Sequence, residues 1–188
     1  MKTVSAAILL ALSLNLAGPV AARAGNDPAK DQLLNQLFQT LKAARSEGQG
    51  AQIEQAIVSV WLDSGDAKIN EQMDWAIAAM GASAYSLALN YLDSIVLNKP
   101  DYVEGWNKRA TVYYIIGRYQ ESLSDIDRTL ALEPRHFGAI AGKGMVDLQL
   151  GDNQGALDAF KQALAIDPQL TDIQLEVIRL ESKLGIKI

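Results

Sequence analysis

The side chains that most often carry out chemistry are sparse in this sequence. His136 is the only histidine, and the chain contains no cysteine. A zinc site or a catalytic pair needs further ligands or a base beside the imidazole, and none can be named here. We therefore predict that His136 is a surface residue. The lack of cysteine also means that helix packing, without disulfides, must stabilise the fold.

Two pairs of carboxylates are the remaining candidates for acid–base chemistry. Asp125 and Asp127 lie two residues apart, which places them on different faces of a helix. Glu121 and Asp125 lie four residues apart and share one face. Neither pair belongs to a pocket that the sequence defines, so we interpret both pairs as solvated charge.

The glycines and serines give no sign of catalysis either. Gly138, Gly142 and Gly144 lack the Lys-Ser/Thr pair of a phosphate-binding loop and fall within a predicted helix. We interpret them as close-packing positions. The serines are not surrounded by a nucleophile-elbow motif. The sequence thus predicts a protein that is not an enzyme and holds no cofactor or metal, with an enzyme of unrecognised site as an alternative.

The elements that position these residues form a repeat. Pro100, Pro134 and Pro168 are separated by 34 residues each. A fixed period of this length is typical of stacked helical hairpins. The same separation relates several further pairs of positions, namely Gly117/Gly151, Ser122/Ala156, Ile126/Phe160 and Leu130/Leu164.

The repeat resembles the tetratricopeptide repeat family over roughly residues 69–184. In the central unit the positions of the family pattern are taken by Trp106, Tyr113, Ser122, Ile126, Thr129 and Pro134, and in the next unit by Gly144, Gly151, Ala156, Phe160, Ala163 and Pro168. Arg109 and Ser122 depart from the pattern. The resemblance implies an all-α fold, a right-handed α-solenoid of antiparallel helix hairpins with about four hairpins plus a C-terminal capping helix.

The organisation along the chain follows from this repeat and from the helical periodicity of the apolar residues. The predicted segments are a signal peptide (1–24), a flexible lead (25–30), a divergent N-terminal hairpin that caps the stack (31–65), a degenerate repeat (66–100), two clear repeats (101–134 and 135–168) and a capping helix (171–184), with the repeats and cap together spanning 66–184. Asp31 is predicted to cap the first helix. Charged residues are predicted to cover the outward side of the last helix.

The N-terminus has the features of a secretory signal peptide. A positive start, an apolar run from Val4 to Leu16 and the small residues around Arg23 in Ala22-Arg23-Ala24 predict cleavage after Ala24. The run is short for a membrane span, so the protein is predicted to be periplasmic or secreted, with an uncleaved anchor as the alternative. Cleavage removes two basic residues and changes the net charge from −5 to about −7. This balance disfavours nucleic acid and anionic lipid as partners.

The resemblance also implies a binding surface. In this family the first helix of each hairpin lines a concave groove that binds an extended peptide or a partner helix. The positions that carry over are Met73, Ile77, Met80, Asn107, Lys108, Thr111, Tyr114, Met145, Leu148 and Gln149. Trp106 and Tyr113 are expected in the core instead. Some relatives bind a terminal carboxylate through Lys and Asn, but Ala141 and Gly142 cannot complete such a clamp with Asn107 and Lys108.

The sequence therefore predicts an exported scaffold or adaptor for a partner protein or peptide, without a membrane span after signal cleavage. The alternative is a structural or self-oligomerising subunit of an envelope complex. In that alternative, the apolar wall of the groove is a permanent interface with a second copy. A separate interpretation is that part of this wall packs against the chain's own last helix.

Overall fold

The computed structural model describes residues 27–186, and this part of the chain contains nine α-helices and no strand. The helices are α1 (Pro28–Lys42), α2 (Glu47–Leu62), α3 (Ala67–Gly81), α4 (Tyr85–Asn98), α5 (Val103–Ile115), α6 (Tyr119–Leu132), α7 (Phe137–Leu150), α8 (Asn153–Ile166) and α9 (Thr171–Lys183). The prediction of an all-α fold built from helix hairpins is confirmed. The predicted signal peptide and its cleavage site lie outside the described residues. None of the described helices combines the length and the apolar character needed to cross a membrane.

Glycine and proline set the boundaries of the repeated hairpins. Gly117 and Gly151 follow the first helices of two successive hairpins with φ angles of 78° and 83°, in the left-handed region that glycine adopts readily. Glu133 and Asp167 end the second helices in an extended conformation, directly before a proline. The sequence-based placement of these turns and helix ends is therefore confirmed.

Close packing within the hairpins depends on pairs of small and large side chains. Gly144 of α7 lies against Phe160 of α8, and a Cβ added at Gly144 would come within 2.5 Å of the phenyl ring. In the preceding hairpin, the Ser122 hydroxyl donates a hydrogen bond of 2.9 Å to the carbonyl oxygen of Ala110. The small serine thus joins α5 to α6, which explains why it is tolerated at a position where the family pattern has alanine.

The first helix begins earlier than the sequence predicts. Its N-cap is Asp27, whose Oδ1 accepts a hydrogen bond of 2.9 Å from the N–H of Ala29. The prediction that Asp31 caps this helix is wrong, and residues 28–30 are helical rather than a flexible lead. The physical reason is that Pro28 lies in the first turn of the helix. Backbone N–H groups in the first turn have no partner within the helix, so proline can occupy this position although it lacks an N–H.

The N-terminal hairpin, α1–α2, packs against the corners of the repeats. We call corners the segments that join the second helix of one hairpin to the first helix of the next: residues 99–102, 133–136 and 167–170. One apolar cluster contains Leu34, Phe38, Leu41, Ile53, Ile57 and Trp61 from the hairpin, Phe137 from the start of α7, and partly buried Ile166 and Leu170. At the first corner, the Tyr102 hydroxyl donates a hydrogen bond of 2.7 Å to the carbonyl oxygen of Leu62. The hairpin therefore lies along successive corners, whereas the sequence predicted a cap at the end of the stack.

The last helix buries the stripe that its periodicity predicts but leaves apolar residues outside. Val177 and Leu180 are buried against α8, in one cluster with Phe160. On the opposite side, Leu175 and Ile178 expose 61% and 54% of their surface. The prediction that charged residues cover the outward side of this helix is therefore only partly correct, because two large apolar side chains interrupt that cover.

Candidate functional site

A small apolar cavity opens between α5 and α7. Its volume is about 110 Å³. Helix α5 contributes one wall, α7 the other, and α6 supplies the floor. The lining residues are Asn107, Ala110, Thr111 and Tyr114 of α5, Ser122 and Ile126 of α6, and Gly138, Ala139, Gly142 and Met145 of α7.

The cavity exists because the α7 wall is built largely from residues with little or no side chain. Gly138, Gly142 and Met145 recur at three- and four-residue spacing and so share one helix face. A Cβ added at Gly142 would lie 3.8 Å from Cδ1 of Ile126, an ordinary contact distance. Unlike Gly144, which Phe160 crowds, Gly142 thus leaves room for a side chain on this face of α7.

Four of the residues that the sequence assigned to a groove come together here. Asn107, Thr111, Tyr114 and Met145 all line the cavity. The Tyr114 ring packs against that of Tyr119, with the ring centroids 5.9 Å apart. This contact helps to hold Tyr114 against the cavity, where its side chain is half-buried.

The other predicted groove residues lie elsewhere. Met73 is only 1% exposed and belongs to the core between α3 and α4, with Met80 packed against the same cluster. Ile77 is exposed on α3. Leu148 packs beside Phe160 and the buried stripe of α9, and the Gln149 side chain accepts a hydrogen bond of 3.4 Å from the Tyr119 hydroxyl. The structure thus places both methionines of α3 at the core of their hairpin, whereas the resemblance implied that Met73 and Met80 line the groove.

A buried polar cluster lies beside the cavity, centred on Glu104. This residue is 1% exposed. Its Oε2 accepts a hydrogen bond of 2.9 Å from Asn107 and lies 3.6 Å from the ammonium group of Lys108. Its Oε1 lies 3.1 Å from Nε2 of His136. Asn107 and Lys108 are therefore engaged by an internal carboxylate, which is a further reason why they do not form a clamp for the carboxylate of a peptide.

His136 is buried, which corrects the prediction of a surface residue. It is 3% exposed, and its ring stacks on that of Trp61 with the centroids 4.1 Å apart. Nδ1 accepts a hydrogen bond of 3.0 Å from the N–H of Ala139, which assigns the proton of the neutral ring to Nε2, the donor to Glu104. The histidine thus caps α7 with one nitrogen and anchors Glu104 with the other.

Glu104 is held in its ionised form. Burial on its own would raise the pKa of Glu104, but its hydrogen bond with His136, the charge of Lys108 and the hydrogen bond from Asn107 lower it to about 2. A depressed pKa means that the cluster stabilises the fold fully above pH 4.5 and loses its contribution as the pH falls toward 2. Since Glu104 and His136 are both buried, their contact joins the start of α5 to the start of α7 inside the protein.

Asp125 is also buried, although the sequence suggested solvated charge. Its two carboxylate oxygens accept hydrogen bonds of 2.7 and 2.9 Å from Nε and Nη2 of Arg109. The Arg109 guanidinium in turn lies 5.0 Å from the ring centroid of Trp106 and 5.7 Å from that of Tyr113. These two aromatic rings are half-buried and contact a cation, rather than lying in the apolar core as predicted. Arg109, a departure from the family pattern, thus has a buried partner of its own.

The sequence held one signal for these buried ionic contacts. Glu104 lies near the start of α5 and His136 directly before α7, the first helices of two successive hairpins, and the two residues are 32 positions apart in the sequence. One can accept a hydrogen bond that the other donates. That separation is close to the repeat length, so side chains at these positions meet when neighbouring hairpins stack. The pair can be recognised only if α5 and α7 are assumed to be neighbours in space. A search for motifs along the sequence finds only a single histidine.

Helical hairpins in series, with a cavity between their first helices, define this chain as a helical-repeat protein. The tetratricopeptide repeat family matches it over residues 73–126 and 108–171. The chain belongs to this family. A TPR repeat-containing protein of Rhizobium etli is 40% identical over 154 residues, covering 82% of this chain and 76% of that protein.

Solved structures show the same fold at low identity. The first TPR of Spaghetti (RPAP3), bound to the HSP90 peptide SRMEEVD, superimposes with a TM-score of 0.61 at 16% identity, covering 64% of this chain and 96% of that chain. The TPR2B domain of yeast Sti1, in a complex with Hsp70, gives a TM-score of 0.58 at 14% identity, covering 63% of this chain and 99% of that chain. The fold therefore extends to domains that were solved with a partner bound.

Proposed function

We propose that this chain is an exported protein–protein interaction scaffold that binds an extended peptide or a helix of a partner protein in the groove between α5 and α7. The observation that carries the proposal is the open cavity at Gly142, lined by side chains of three helices. Membership of the tetratricopeptide repeat family supports a scaffold without catalytic activity, and the two related folds solved with partners support a peptide or protein as the ligand.

The chemistry of the cavity favours an aliphatic side chain of the partner. Ala110, Ile126 and Met145 give it an apolar lining, and Thr111 and Asn107 supply the polar atoms at its margin. A cavity of about 150 Å³ accommodates a benzene-sized molecule, so the volume here suits a branched aliphatic side chain. The flexible methionine can adapt to more than one such side chain.

Filling the cavity should abolish binding without harming the fold. We expect Gly142→Leu to weaken the binding of peptides by at least about tenfold, because the leucine side chain occupies the space that a partner residue would take. The melting temperature should stay equal or rise, since leucine has a better helix propensity than glycine. Peptides selected from a random library on the wild-type chain, with affinities measured by fluorescence polarisation, provide the readout.

Gly81→Leu is the matched control. Gly81 ends α3, and a Cβ there would meet nothing within 4 Å. This variant should bind the selected peptides like the wild type. If Gly142→Leu also binds them with unchanged affinity, the cavity is not the binding site and the proposal fails.

Export is part of the proposal and follows from the N-terminal sequence. Mass spectrometry of the protein recovered from the periplasmic or culture fraction should show a chain that begins at Gly25. A chain that retains Met1 in the membrane fraction would support the uncleaved anchor instead.

The exposed apolar residues of α9 favour a second candidate function, a self-assembling subunit. Leu175 and Ile178 are exposed on the side of α9 that does not pack against α8. Sedimentation velocity over a wide concentration series distinguishes the two functions. A stable oligomer that Ile178→Glu dissociates would support self-assembly, whereas a monomer at all concentrations would exclude it.

A further inference from the structure

A second depression lies on α7 beside the proposed groove. It has a volume of about 420 Å³ and is enclosed by α2, α7 and the corner that leads into α9. Its lining includes Glu54 of α2, Ala141 of α7, Leu170 of the corner, and Asp172 and Ile173 of α9. Glu54 and Asp172 are the only charged residues among the described residues that line it. We call this depression the acidic cleft.

The packing of the N-terminal hairpin fixes Glu54 in the wall of the acidic cleft. Gly50 lies four residues before Glu54 and so shares its face of α2. A Cβ added at Gly50 would lie 2.5 Å from Cγ of Gln169, which shows how closely α2 approaches the corner. Leu170 of the same corner packs against the apolar cluster of the hairpin. The two carboxylates of the cleft are therefore carried by helices whose positions are set by core packing.

Basic residues of the surrounding helices are engaged away from the acidic cleft. Helix α2 contains no lysine or arginine. Lys143, the only basic residue of α7, lies 2.9 Å from Asp147 of the same helix. On α9, Arg179 lies 2.7 Å from Glu176. No lysine or arginine of the described chain lines the cleft. The negative charge of the cleft thus has no cation of this chain beside it.

A third carboxylate lies directly behind the wall of the cleft. Asp167 is fully buried, and its Oδ1 accepts a hydrogen bond of 2.9 Å from the N–H of Gln169, a residue that lines the cleft. Its Oδ2 is buried without a hydrogen-bond partner among the described residues. A buried oxygen without a donor is costly. A cation bound in the cleft would reduce that cost by electrostatic attraction.

The ridge of α7 between the cavity and the acidic cleft is low. Gly138 and Gly142 line the cavity on one side, and Ala141 lines the cleft on the other. Because these residues have small side chains or none, a peptide can cross α7 close to its backbone. The crossing spans about one helix diameter, about 10 Å. An extended chain advances by about 3.4 Å per residue, so about three residues cover this distance.

We propose that the acidic cleft binds a lysine or arginine of the partner segment, placed about three positions from the aliphatic side chain that enters the cavity at Gly142. This inference rests on the proposed function, because it assigns a second contact to the same peptide. Glu54 and Asp172 pair with the basic group, while Leu170 and Ile173 pack against its methylene stem.

The ionisation of Glu54 agrees with a cationic ligand. Burial is the main reason why the pKa of Glu54 is raised to about 7. A positive charge next to a carboxyl group favours its ionised form, so the bound peptide holds Glu54 as a carboxylate. Binding is therefore best measured at pH 8, where Glu54 is ionised before the peptide arrives.

The test compares each peptide selected on the wild-type chain with a version whose basic residue is replaced by glutamine. At pH 8 and low ionic strength, the wild type should bind the basic version about fivefold more tightly, the size of effect expected for a partly exposed ion pair. This preference should shrink as salt is added. Glu54→Gln/Asp172→Asn should bind the two versions equally.

Glu71→Gln/Asp127→Asn is the matched control. It also removes two negative charges, at exposed positions of α3 and α6 that lie outside the acidic cleft. This variant should keep the full preference for the basic peptide. Thermal melting followed by circular dichroism should show that both double variants remain folded.

Three results would overturn the inference. Selected peptides that lose affinity for Gly142→Leu but have no basic residue at this spacing would leave the proposed function intact and exclude the cleft as its second contact. A preference that persists in Glu54→Gln/Asp172→Asn, or that the control variant loses equally, would show that these two carboxylates do not act locally. A wild-type chain that binds no peptide would contradict the proposed function together with this inference.

Discussion

Replacing Trp61 by alanine is expected to lower the free energy of unfolding by about 3–5 kcal/mol, the range for deleting a large buried aromatic side chain. Trp61 is 3% exposed and stacks on His136 at 4.1 Å. It also contacts the rings of Phe38 and Phe137, with centroid distances of 5.9 and 5.4 Å. The side chain therefore joins both helices of the N-terminal hairpin to the start of α7.

The loss should be confined to the hairpin, because each unit of a repeat protein is stabilised mainly by its neighbours. Urea denaturation followed by circular dichroism should show an early transition, and hydrogen exchange should show that residues 28–62 lose protection first. Trp61→Phe is the control, since it keeps an aromatic ring and removes an indole N–H that has no partner among the described residues. Its cost should be clearly smaller. Full protection of the hairpin in Trp61→Ala would contradict this account of how it docks.

Replacing Arg109 by alanine is expected to cost about 3 kcal/mol, because it leaves the buried carboxylate of Asp125 without its two charged donors. The Asp125 side chain is 5% exposed and the Arg109 side chain 16%. This residual exposure of Arg109 places the expected value at the lower end of the range for breaking a buried ion pair. Urea denaturation at neutral pH measures the loss.

The control is an ion pair of the same kind at the surface. Arg118 pairs with Glu121 at 2.8 Å, but the two side chains are 48% and 44% exposed. Arg118→Ala should therefore destabilise the fold much less than Arg109→Ala does. The double variant Arg109→Ala/Asp125→Ala should lose less stability than the two single variants added together, since it no longer leaves a charge buried alone. Additive losses would mean that the two side chains do not act as a pair.

Much of the candidate groove could not be derived from the sequence. Carrying family positions over to this chain selected Tyr114 and Met145, and both line one cavity, because the central repeats keep the period. The same procedure assigned Met73 to the groove, although it lies in the core of the α3–α4 hairpin. The degenerate repeat (66–100) keeps the repeat length but lacks the side chains that fix the rotation of a helix about its own axis. The position of a residue within the repeat therefore does not show which face of the helix it occupies.

The sequence by itself determined the helices, their order and the places where the chain turns. These features are local, since Gly151 and Pro168 each constrain the backbone only at and next to their own positions. The 34-residue period places residues of the same kind at the equivalent positions of each unit. Only the tertiary structure decided where the N-terminal hairpin lies and what surrounds His136. Trp61 and His136 are 75 residues apart, and an apolar stripe specifies that a helix face is buried without specifying the surface that buries it. That choice depends on long-range packing, which also left the cavity at Gly142 open.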